Sequence, residues 1–152
     1  MRPPGYECGE EQIDSTRKHR RERGIDWAPG PRLLRTCPRG RSLGPIFDAA
    51  VIDWEHHIAN ITDFWSSIVL QTGRYAGSPM RAHLVLPLRD EHFDRWLMIF
   101  EKTAREQFTA EAADIIVDRA RRIADSFEMG IASRRGEIVS PRHTFSAAPT
   151  SG

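Results

Sequence analysis

The chain holds only two cysteines in 152 residues, Cys8 and Cys37. They are too few and too awkwardly spaced for a secreted disulfide framework or a thiolate zinc knuckle, so a reduced, cytoplasmic setting is expected. Long apolar runs are missing as well. No stretch approaches the roughly 20 residues needed to cross a bilayer, and the opening Met1-Arg-Pro-Pro-Gly-Tyr-Glu7 lacks the apolar core of a secretory signal. No membrane association is expected. Charge of one sign is lacking too: 22 Lys and Arg face 21 Asp and Glu, for a formal net of +1. The surface therefore has no bias toward nucleic acid or an anionic membrane. Alternation at period two is confined to Leu84 through Leu88, where Pro87 removes a donor that a central strand would need. What remains is an all-α chain of a length that suits one domain around one core.

Proline and glycine are not scarce but concentrated. Residues 1–44 carry five Pro, six Gly and a local charge of +4, and apolar periodicity cannot be sustained past Gly24. This segment reads as irregular and basic, with residues 10–23 able to form only a short polar helix in need of a partner. Residues 45–132 have the composition of a folded domain. Residues 133–152 return to Ser, Pro, Arg and Gly, the signature of a flexible tail.

Four helical patterns follow one another in the folded part. The first, residues 52–71, sets Trp54, His57, Ile58, Ile61, Phe64, Trp65 and Ile68 at steps of three and four, a broad aromatic face that stops at Thr72-Gly73. Ser78-Pro79 then offers an N-cap with Pro at the first helical position, opening a helix that Pro87 keeps very short. A third pattern, residues 90–108, turns Phe93, Trp96, Leu97, Phe100 and Ala104 inward. The fourth starts at Thr109 with Ala112, Ile115, Ile116, Ala120, Ile123 and Phe127 inward, and Gly130 is expected to close it.

Two histidines stand out, His57 and His83, 26 positions apart and each in an aromatic-rich helical pattern. A lone histidine on a short helix is more often a surface or capping residue than a ligand. Here, however, prolines fix both ends of the short helix and Leu84 and Leu86 flank it, so the imidazole projects from a rigid apolar shelf, as an axial haem ligand requires. Its neutral nitrogen would bind iron while its other N–H donates to a backbone carbonyl about one turn earlier. His57 shares the stripe of Ile61, Phe64 and Trp65, whereas His56 falls beside it and is expected to point outward. Trp54, Trp65 and Trp96 are equally readable as ordinary core, although three tryptophans within 43 positions favour a cavity for a large flat guest. Zinc held by His56, His57, His83 or His92 lacks ligand spacing and a nearby cysteine.

The ordered series Leu43-Gly-Pro-Ile-Phe47, Trp54-x-x-His57 leading to Phe64-Trp65, Gly73-x-Tyr75-x-Gly77-x-Pro79-x-x-x-His83, and Phe93-x-x-Trp96-Leu97 resembles the group III truncated haemoglobins. The resemblance covers about residues 43–136. It implies a shortened globin fold, helices packed two over two with haem b between them. Carried over by position, it implies His83 as the proximal iron ligand and His57 as the distal residue. It likewise implies Phe47 against the porphyrin face, Ile61 and Trp65 on the distal side, and Phe93 and Trp96 as the wall from the next helix. Arg74, Tyr75 and Arg81 are candidates for the haem propionates on charge and proximity alone.

One departure is visible. Relatives in the family usually carry a tyrosine thirteen residues before the phenylalanine that matches Phe47, and here that place is Leu34. Pro29, Pro31 and Pro38, with neighbouring glycines, argue against a buried helix over residues 27–42. This stretch is expected to be either diverged or a reading-frame or start-site artefact in the deduced sequence. The resemblance implies reversible binding of oxygen, and of nitric oxide, at a His-ligated iron. Two other classes stand beside it. One is a haem-dependent redox enzyme, a nitric oxide dioxygenase or peroxidase-like protein served by an electron-donating reductase. The other is a cofactor-free helical interaction module whose basic N-terminal segment meets an acidic partner.

Overall fold

The computed structural model describes residues 30–36 and 41–143. Six helices follow one another in these residues: α1 (Gly30–Thr36), α2 (Gly44–Ala50), α3 (Trp54–Leu70), α4 (Pro79–His83), α5 (Asp90–Gln107) and α6 (Ala110–Arg134). No strand occurs among the described residues, and none of their helices is long and apolar enough to cross a membrane. The polar helix considered for residues 10–23 lies outside the described residues.

The expected stripe of α3 is realised by its caps as much as by its apolar spacing. The Asp53 carboxylate accepts the His56 backbone N–H at 3.1 Å, satisfying an orphan donor of the first turn. At the other end Gln71 turns left-handed, with φ of 58°, and its N–H donates to the Ser67 carbonyl. Ile58, Trp65, Val69 and Leu70 are thereby buried against the other helices. The most extensive helix pair is α5 with α6. Its close approach follows from Ala112, Ala113, Ala120 and Ala124, all buried on α6, which leave no bulk between the two axes. Phe100 of α5, fully buried, fills the centre, with the rings of Trp65 and Trp96 at 5.0 and 4.9 Å. Burying such a side chain contributes about 1.5–3 kcal/mol.

Four local expectations are corrected. First, residues 30–36 form α1 despite the prolines. Pro31 falls in the first turn, where its missing N–H is an orphan in any case. Leu33 and Leu34 are buried at 0% and 3% exposure, packing α1 on α3 and α5. Arg35 donates to both carboxylate oxygens of Glu55 at 2.9 and 3.0 Å. Second, α6 does not close at Gly130 but continues to Arg134, because Ile131 and Ala132 extend its buried face. Third, Ile115 is exposed: the register that buries Ala112, Ala113, Ile116 and Val117 carries it to the flank. Fourth, the segment after α6 is tied down as far as residue 143. Asp125 and Glu128 are carboxylates buried on α6, where an unpaired charge would be costly. His143 Nδ1 meets Asp125 at 2.7 Å. Arg142 donates through Nε to Glu128 at 2.7 Å and through a second nitrogen to its other oxygen, and pairs with Asp94 of α5 at 2.9 Å.

Gly130 has a further consequence for the site. A Cβ there would lie 2.8 Å from the Met80 sulfur, so its absence lets α4 settle on α6. That contact positions the residue at the end of α4, His83.

Candidate functional site

Helices α1 to α6 enclose a cleft of about 300 Å³, at the lower end of the roughly 300–1,000 Å³ typical of small-molecule and cofactor sites. Its walls are mostly alkyl and aromatic, with a few imidazole, amide and phenol groups among them.

His83 lines this cleft from the C-terminal end of α4. Pro79 starts that helix with its preset φ. The Ser78 side chain makes no capping bond, contrary to expectation, so the proline does the work of initiation. The expected bond to a carbonyl one turn earlier is present: His83 Nδ1 lies 2.7 Å from the Pro79 carbonyl oxygen. A carbonyl only accepts, so Nδ1 carries the hydrogen and Nε2 keeps the lone pair. Phe127 of α6 stacks on the imidazole at a centroid distance of 4.5 Å and 30°, fixing the ring plane. Burial pushes the His83 pKa below the ordinary imidazole range, partly offset by the bond to Pro79. The ring is thus neutral, oriented and free at Nε2.

His57 lines the same cleft from α3, edge-on to Trp54 at 5.7 Å. Its pKa is lowered first by burial, then by the charges of His83 and His56. His56 is exposed and its Nε2 lies 3.0 Å from Asn60 Nδ2, as the helical register required. The remaining five residues singled out from the sequence line the cleft too. Phe47 comes from α2, its ring 6.0 Å from that of Trp54. Ile61 and Trp65 come from α3, and Phe93 and Trp96 from α5. Leu34 of α1 is also part of the wall, so an alkyl group stands where the resemblance implies a phenol.

Tyr75 reaches the cleft through a loop held by its own N–H donating to Ser67 Oγ at 3.1 Å. Its ring packs on Phe64 at 5.3 Å and covers Gly77, where a Cβ would collide with the Tyr75 ring and hydroxyl. Arg74 and Arg81, the other propionate candidates, are exposed and are not part of the lining.

Residues missed by sequence reasoning include Phe127 and Ile123, assigned only to the inward face of their helix, and Leu88. Nothing local marks Phe127 as a partner of His83, since the two meet only through the packing of α4 on α6. His92 lines the cleft as well, although the sequence suggested it only as a weak zinc candidate.

The donor set can be tested against what such a cleft would hold. Among the described residues no group of three or more His, Cys, Asp or Glu gathers as a metal site, whereas an iron carried by a macrocycle needs one imidazole from the protein. A single oriented Nε2 between aromatic and alkyl walls fits haem.

The chain matches no family model. It is 36% identical over 95 residues to the group 3 truncated hemoglobin ctb of Campylobacter jejuni, covering 59% of this chain and 75% of that protein. Among solved structures, the crystal structure of a group III truncated hemoglobin from Campylobacter jejuni superposes with a TM-score of 0.59 at 27% identity. That likeness covers 83% of this chain and 93% of the other, and it places the helices described above in the two-over-two sandwich.

Proposed function

The chain belongs to the group III truncated haemoglobin family, and from that premise we propose that it is a haem b-binding globin that reversibly binds oxygen, and nitric oxide, at an iron held by His83. The observation that carries this reading is the His83 ring. Its tautomer is set by the Pro79 carbonyl at 2.7 Å and its plane by Phe127 at 4.5 Å. When bound, haem supplies an iron with an open position for a diatomic gas, and the protein tunes that chemistry.

The chain's own residues divide the remaining tasks. The Pro79 carbonyl raises the basicity of Nε2 and prevents ring rotation. Phe47, Ile61, Trp65, Phe93 and Trp96 keep water out of the cleft, which strengthens every polar interaction left inside it. His57 stays neutral at physiological pH because burial and its histidine neighbours disfavour its charge. It therefore carries one N–H and one lone pair, one of which can serve a guest. Leu34 offers neither.

The test is an absorption spectrum of the purified protein. An intense Soret band is expected that shifts reversibly between air and argon. It should be lost in His83→Gly and regained when free imidazole is added. A colourless, well-folded protein that takes up no added haem would refute the reading in favour of a cofactor-free helical module.

A further inference from the structure

Haem is an apolar disc with two carboxylates at one edge, and the cleft must meet both characters. The arginines suggested by the sequence do not line it, but His92 does. His92 is the third residue of α5, and its Nδ1 lies 2.9 Å from the backbone nitrogen of Arg89, the residue preceding that helix. A backbone N–H can only donate, so Nδ1 spends its lone pair there, and the neutral ring carries its hydrogen on Nε2. Nε2–H makes no hydrogen bond among the described residues. Its neighbours in the wall, Leu88 and Phe93, are apolar and buried. A lone pair already committed to a helix cap is unavailable to iron or zinc, whereas the N–H on the other side of the ring suits an anionic oxygen.

We propose that His92 is the hydrogen-bond donor to a propionate carboxylate of the bound tetrapyrrole, its orientation set by the cap of α5. The inference rests on the haem reading above. It gives one imidazole two tasks: Nδ1 starts the helix that carries Phe93 and Trp96, and Nε2 holds the polar edge of the guest they enclose.

The two tasks can be separated. Glutamate and glutamine at this third position accept the same backbone N–H, so His92→Glu and His92→Gln keep the cap. Only the first replaces the donor with a like charge. Holoproteins of the parent and both variants are prepared with native haem and with its dimethyl ester, and haem loss to an excess of a scavenging apoprotein is followed at the Soret band. With native haem, His92→Glu should lose its cofactor about tenfold or more faster than the parent, the worth of a charge-assisted hydrogen bond. His92→Gln, which keeps an amide donor, should stay within about threefold. With the dimethyl ester, whose carbonyl still accepts a neutral hydrogen bond but carries no charge, the difference between His92→Glu and the parent should shrink to within about threefold. Equal acceleration with both haems, or none with native haem, would overturn the assignment while leaving the haem reading intact. A parent that takes up neither haem would overturn both.

Discussion

Replacing Leu34 by tyrosine asks what the missing hydroxyl is worth. Leu34 is 3% exposed yet borders the cleft, so the substitution places a phenol inside an enclosed, mostly apolar space. Overpacking a filled core costs about 1–3 kcal/mol, but here the added ring faces the roughly 300 Å³ of the cleft rather than close-packed neighbours. A buried donor facing a partly negative guest contributes about 1–3 kcal/mol, a factor of roughly 5–150 in an equilibrium. Ligand affinities are adjusted mostly through dissociation. Stopped-flow oxygen dissociation should therefore slow by roughly 5–150-fold in Leu34→Tyr, and autoxidation should slow with it. Leu34→Phe supplies the bulk without the hydroxyl and should leave the dissociation rate near that of the parent. Equal rates for the tyrosine and phenylalanine variants would refute the reasoning, because bulk alone would then account for the change.

Other outcomes follow from the same geometry. His57 and His83 both titrate below the ordinary imidazole value in the folded chain, so the unfolded chain binds protons first as pH falls. Their contribution to apoprotein stability is complete above about pH 6.5 and declines as pH drops from there through the lowered folded values. Thermal melts of the apoprotein should show this decline, and His57→Leu with His83→Leu should flatten it; an unchanged slope would contradict the assignment. Removing Arg142 strands the Glu128 carboxylate, which is 8% exposed. Because the arginine is itself partly open to solvent, Arg142→Ala should cost about 1–3 kcal/mol, or roughly 2–4 °C in Tm per kcal/mol. Adding Glu128→Gln should recover part of the loss in calorimetry, and a double variant melting below the single one would argue against the pairing.

Much of the cleft is legible along the chain because helical periodicity is a local property. Steps of three and four place His57, Ile61 and Trp65 on one face, and Phe93 and Trp96 on another, whatever they pack against. Pro79 four residues before His83 is enough to anticipate the bond that orients the imidazole, since both groups lie within one turn. The behaviour of α1 was less legible. Counting prolines as helix breakers ignores where they fall, and Pro31 sits in the one turn that tolerates it.

What the chain determined by itself is therefore helices α3 to α6, most of their inward stripes and the His83 tautomer, all of which depend on neighbours within about one turn. Tertiary structure alone decided that Phe127 is the residue stacked on His83, that Gly130 lets α4 approach α6, and that Arg142 neutralises a carboxylate on α6. Each of these needs two segments distant in sequence to meet at van der Waals or hydrogen-bond distance. Such meetings are set by packing volume and by the cost of burying unpaired charge, and no periodicity encodes them.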